Sequence, residues 1–214
     1  MSSRLRLPPD PFDLECNFEM WPADKPIIRV HDSSFGATEF NPGKGEGRFH
    51  PLVARGTPVP TLYGSGTFDA AVSETIFRSV PVTAPHRYIT QWSLMPIVSC
   101  TLMPVRPLQL VQLRGSGLRK LQLARVEIID TEADQYPLTR AWAAALYAAY
   151  PEADGLIWMS RQHDMSEAIV LFGTRVQRED LIVAAPPRAL YPPGDGWHDV
   201  LVAAEAAGIM ILDL

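Results

Sequence analysis

The chain has 214 residues, 47% of them hydrophobic and 20% charged, with a formal net charge of −5 at pH 7. That is enough apolar sequence to bury a core without disulfide staples, while the acidic balance excludes broad phosphate-backbone binding to nucleic acid, which needs a basic footprint. No stretch is long and apolar enough to span a bilayer as a helix. The opening MSSRLRLPPDPFDLECNF carries basic residues but no apolar signal core. The two cysteines, Cys16 and Cys100, belong to no Cys-x-x-Cys, so reduced thiols in a cytoplasmic protein are expected.

In chain order, residues 1–26 are proline-rich and weakly patterned, predicting an irregular arm packed on the domain through Phe12, Phe18 and Trp21. Residues 27–214 then form one domain. PIIRVH predicts a strand, followed by the glycine-rich loop Gly43-Lys44-Gly45-Glu46-Gly47-Arg48, and PTLYGSG predicts a strand that ends in a turn. TFDAAVSETIFRSV predicts a helix, with Thr67 as N-cap and Asp69 suiting its positive first turn. Phe68, Val72, Thr75, Ile76 and Ser79 share one side of it at the 3.6 period, and Glu74 lies off that stripe beside Ala70 and Ala71.

RYITQWSLM, IVSCTLM and PLQLVQL predict strands, and GLRKLQLARV a short helix. PLTRAWAAALYAAYP is the clearest helix, opened by Pro137 and stopped by Pro151. GLIWMS and EAIVLFG fit buried strands, DGWHDVLVAAEAAG a helix closed at Gly208, and IMILDL a final strand. Strands with helices inserted irregularly between them predict an α+β fold rather than a βαβ series.

Several motifs are excluded. GKGEGR lacks the Gly-Lys-Ser/Thr of a P-loop and the third glycine of a dinucleotide fingerprint. The five histidines are scattered without metal-ligand spacing, so no metal is expected. Ser160, His163 and Asp164 have the letters of a hydrolase triad but fall within one short segment with no G-x-S-x-G elbow.

Arg48, Tyr63, Glu74 and Ser160 remain. An arginine, an aromatic, a carboxylate and a hydroxyl without a metal suit a phosphorylated nucleoside. The segments RVH, GRFHP, PTLYGSGTFDAAVSETIF and DGLIWMSRQHDMSEAIVLF, in this order between Ile28 and Val176, resemble the RES domain, the toxin half of bacterial toxin–antitoxin pairs. Glu167-Ala168-Ile169 departs from the Glu-Asn-Leu of many members, as does the segment from Gln162 to Met165.

The resemblance implies an ADP-ribosyltransferase-like fold, a split, bent β-sandwich with peripheral helices and NAD as substrate in the cleft. It implies cleavage of the nicotinamide–ribose bond, with ADP-ribose passed to a protein or, alternatively, to water or phosphate in an NAD-depleting reaction. It also implies an antitoxin partner with a helix-turn-helix DNA-binding domain. A non-catalytic module holding NAD or the antitoxin is the competing class.

In that chemistry the leaving group is already cationic and departs neutral, so no general acid is required. A carboxylate near the ribose, assigned to Glu74, would stabilise the oxocarbenium-like charge. Arg48 would grip the pyrophosphate with its planar fork, with Gly45 and Gly47 letting backbone N–H groups approach the anion. Tyr63 would stack on nicotinamide or ribose, Ser160 would bond the nicotinamide-side ribose, and Arg29 would add a second phosphate or ribose contact. His50 and Arg161 adjoin motif residues and receive no role of their own.

Overall fold

A computed structural model of the chain describes residues 6–81, 83–161 and 163–213, apart from the side chain of Phe12. The anchor expected at Phe12 and the departure at Gln162 therefore lie outside the described residues. The first strand is β1 (Phe18–Trp21), within the arm expected to be irregular. It pairs antiparallel with β8 (Leu108–Gln112), Phe18 opposite Val111 and Trp21 opposite Leu108. Trp21 is fully buried and donates its indole N–H to the Lys25 carbonyl.

The expected strands recur as β2 (Ile27–Asp32), β5 (Thr61–Ser65), β7 (Ile97–Pro104), β8, β9 (Gly155–Met159) and β10 (Glu167–Phe172). Between β2 and β5 stands a hairpin of β3 (Leu52–Ala54) and β4 (Thr57–Val59), whose turn residues Arg55 and Gly56 both have positive φ. RYITQWSLM divides into β6 (Tyr88–Thr90) and a 3-10 turn over Gln91–Leu94, where the Ser93 hydroxyl bonds the Thr90 carbonyl. β11 (Leu181–Ala189) flanks β7, and β12 (Met210–Leu212) pairs parallel with β6. The helices are α1 (Phe68–Thr75), α2 (Gly115–Lys120), α3 (Arg125–Ile128), α4 (Tyr136–Ala149) and α5 (Trp197–Ala206).

Eight strands form one sheet in the order β1-β8-β9-β10-β5-β2-β7-β11. Period-two alternation buries both faces at its centre. Ala168, Val170 and Phe172 of β10 join Trp158 and the α4 residues Trp142 and Leu146, whereas Ile169 and Leu171 join Leu62, Leu102 and Trp21. A third cluster places Val72 of α1 against Val200 of α5 and Val30 of β2.

The sheet has a seam. β2 and β5 share a single residue pair, Ile28 with Ser65, while β2 makes six with β7 and β5 makes five with β10. At the seam Gly64 faces Ile27 so closely that an added Cβ would lie 2.3 Å from Ile27 Cγ2.

α1 begins as expected, with the Thr67 side chain accepting from the Ala70 N–H (3.4 Å). Its buried residues are Ala70, Ala71, Val72 and Ser73; of the expected stripe Val72 is buried, and Phe68 and Ile76 are partly buried against the same cluster. The helix is covered by β2 on one flank and by α5 on another, so small side chains are needed around much of its circumference. No helix among the described residues is long and apolar enough to cross a membrane.

Candidate active site

The glycine-rich loop is tied to itself and to β5. Asn41 Oδ1 accepts from the N–H groups of Gly43 (3.0 Å) and Lys44 (2.7 Å), and its Nδ2 donates to the Lys44 carbonyl (2.9 Å). Gly45 has φ +78°, a conformation that side chains resist. His50 closes the loop: Nε2 lies 3.0 Å from the Lys44 carbonyl and Nδ1 lies 2.7 Å from Thr61 Oγ1. A carbonyl only accepts, so Nε2 carries the proton and Nδ1 takes the threonine hydroxyl proton. Burial lowers the His50 pKa and keeps the ring neutral.

This frame holds Arg48 with its side chain buried and, among the described residues, its Nε and Nη1 without a hydrogen-bond partner. Its guanidinium lies 6.0 Å from the centre of the Tyr136 ring. Buried polar groups are nearly always satisfied, so a buried cation with two unused donors beside a cavity marks a place for an acceptor. Gly47 does not offer its amide to an anion as expected, because that N–H donates to the His50 carbonyl (2.7 Å).

Glu74 is held from β9's far end. The Ser160 hydroxyl (2.7 Å) and the Arg161 backbone N–H (2.8 Å) both donate to Oε1. Among the described residues nothing donates to Oε2. Ser160 is fully buried, and its Oγ also accepts from the His163 N–H (3.1 Å). It therefore stands behind Glu74 and does not line the cleft as a ribose contact would. Of the discarded triad letters, Asp164 pairs with Arg125 at 3.0 Å.

Tyr63 alternates with Leu62 and Gly64 on β5, and its hydroxyl accepts the Phe49 N–H (3.1 Å). Burial raises its pKa above that of an ordinary phenol, so it remains a neutral donor. Arg29 is buried and directs Nη1 to the carbonyls of Gly36 (3.2 Å) and Ala37 (2.6 Å). Burial lowers its pKa to about 10. Next to it His31 lies between the Asp32 carbonyl (2.9 Å) and Cys100 Sγ (3.7 Å). Burial, with the charge of Arg29 second, lowers its pKa to about 4.

Arg29, Gly47, Arg48, Tyr63 and Glu74 line one cavity of about 270 Å³, with β2 on one side of the seam and β5 on the other. Among the described residues, five cationic ones border it (Arg29, Lys44, Arg48, Arg78, Arg161) against three acidic ones (Asp32, Glu46, Glu74). The cleft is thus locally cationic in an acidic chain, which favours an anionic ligand. The roles of His50 and Arg161 were not legible from residue type. One acts by bracing a loop, and the other acts on Glu74 through its backbone.

The sequence pattern of the RES domain family matches residues 26–210. No curated protein matches the sequence. Among solved structures, the chain is similar to one in the crystal structure of the M. tuberculosis MbcT–MbcA toxin–antitoxin complex. The TM-score is 0.59 and the identity 13%, over 89% of this chain and 92% of that one. The fold is α+β, as expected from the sequence, and the similar chain shares it.

Proposed function

The chain belongs to the RES domain family, and from that premise we propose that it is the toxin half of a toxin–antitoxin pair that cleaves the nicotinamide–ribose bond of NAD and transfers ADP-ribose to a cellular protein. The observation that carries this reading is that one cavity is lined both by a buried guanidinium whose Nε and Nη1 have no partner among the described residues and by an immobilised carboxylate.

The residues fit the substrate. The two free donors of Arg48 suit a pyrophosphate, whose charge would meet the cationic cleft. The C1′–N bond breaks with its electron pair leaving on nicotinamide, and positive charge grows on the ribose. Glu74 is fixed through Oε1 and has Oε2 free to stabilise that charge or to take the proton of the incoming nucleophile. Its two donors make the carboxylate preorganised, so little rearrangement accompanies the transition state. Tyr63 flanks the same space and offers its ring face and hydroxyl proton. Ser160 serves as a positioning residue for Glu74, and Arg29 shapes the β2 wall. As partner, the reading takes an antitoxin with a helix-turn-helix domain, in keeping with the similar chain being solved as a toxin–antitoxin complex.

Incubation of the purified protein with NAD labelled in the adenylate, with and without cell lysate, tests this. Label on a lysate protein is expected. Free ADP-ribose or its phosphate as the sole product would replace protein transfer with NAD breakdown. Absence of nicotinamide release under both conditions would overturn the enzymatic reading.

A further inference from the structure

Arg48 lies in a turn whose ends, Gly47 and His50, exchange backbone hydrogen bonds (2.7 and 3.4 Å), and these leave its own carbonyl to be satisfied from elsewhere. Its carbonyl receives no backbone N–H among the described residues. It is instead reached from α4, some ninety residues later in the chain, by the hydroxyl of Thr139. Thr139 is fully buried, and its Oγ1 also lies 3.0 Å from the Tyr136 carbonyl one turn earlier. A hydroxyl has one proton, and the closer acceptor is Arg48.

The same turn of α4 grips the loop twice more. The Tyr136 ring lies beside the Arg48 guanidinium, and Arg140 Nη1 donates to the His50 carbonyl (3.4 Å). Arg140 also approaches Glu46 at 4.0 Å.

We infer that Thr139 is a positioning residue for Arg48: its buried hydroxyl fixes the backbone from which the unpartnered guanidinium reaches the anion. This rests on the proposed NAD reading. Thr139 acts on ligand binding rather than on Glu74, which is held independently by Ser160 and Arg161.

The test compares Thr139→Val, which keeps the volume and removes the proton, with Thr139→Ser, which keeps the proton. Nicotinamide release gives KM and kcat for NAD, and calorimetry gives the Kd of ADP-ribose. The valine variant should raise KM and Kd about five- to tenfold, the size of one hydrogen bond, with kcat within about twofold. The serine variant should restore both. A folded valine variant with wild-type KM and Kd overturns the inference, as does a fall in kcat with KM unchanged, the mark of a merely structural loss. If the valine variant does not fold, Thr139→Ala carries the same comparison. A wild-type protein that neither binds ADP-ribose nor releases nicotinamide overturns both this inference and the NAD reading. Wild-type activity with unaltered variants overturns the Thr139 assignment alone.

Discussion

In the proposed reaction Ser160 serves Glu74 from behind and Arg48 serves the anion, so substitutions at them should separate accordingly. Ser160→Ala removes one of the two donors to Glu74 Oε1. It should lower kcat for nicotinamide release about tenfold with KM within about twofold, since one hydrogen bond to a charged group contributes roughly 1.5 kcal/mol or more. An unchanged kcat would remove Ser160 from the account. Arg48→Lys keeps the charge but loses the planar fork. It should raise KM for NAD about tenfold or more, and a wild-type KM would contradict the pyrophosphate role. Arg48, Tyr63 and Glu74, singled out in the sequence, all line the same cavity. The ribose contact expected of Ser160 is replaced by a bond to Glu74, because its burial behind that carboxylate depends on how β9 ends against α1. His50, Thr139 and Arg161 were hidden for a related reason. Their contribution is to hold backbone or another side chain in place, and that leaves no mark in residue type or spacing.

β1 illustrates what periodicity misses among the elements. Four residues, FEMW, have no local signature strong enough to predict a strand, and their pairing partner β8 begins almost ninety residues later. Trp21 nonetheless fills the core beside Leu108 and Leu62. Trp21→Ala should destabilise the protein by about 3–5 kcal/mol, read as a fall in the denaturant midpoint. A change within about 1 kcal/mol would mean that the arm is an appendage. β11 was missed because Pro186 and Pro187 argue against a strand. It tolerates them as the sheet's edge, with register shifts on either side of Ala185. α1 has the expected cap, and it buries Ala70, Ala71 and Ser73 as well as Val72 of the stripe because β2 and α5 both pack on it. The strands β5, β7, β9 and β10 were legible because each carries enough β-branched and apolar residues to stand out as a buried run.

At the scale of the whole molecule, the cleft lies where the sheet is weakest, at the one-pair seam between β2 and β5, and its wall contains a histidine held neutral. His31 has a folded pKa of about 4 against an ordinary value of 6.5. The unfolded chain therefore binds its proton more readily. The contribution to stability is fully present above pH 6.5 and is lost as pH falls toward 4. That predicts a loss of about 2 kcal/mol between pH 7 and pH 5, measurable by urea unfolding and reduced in His31→Asn. A slope equal to that of the variant would contradict the buried neutral ring. The central claim concerns Glu74, and nicotinamide release from NAD by the wild-type protein and by Glu74→Gln tests it most directly. The account predicts release by the wild type and a loss of roughly a hundredfold or more in the variant at unchanged thermal stability. Equal rates in the two proteins would contradict it.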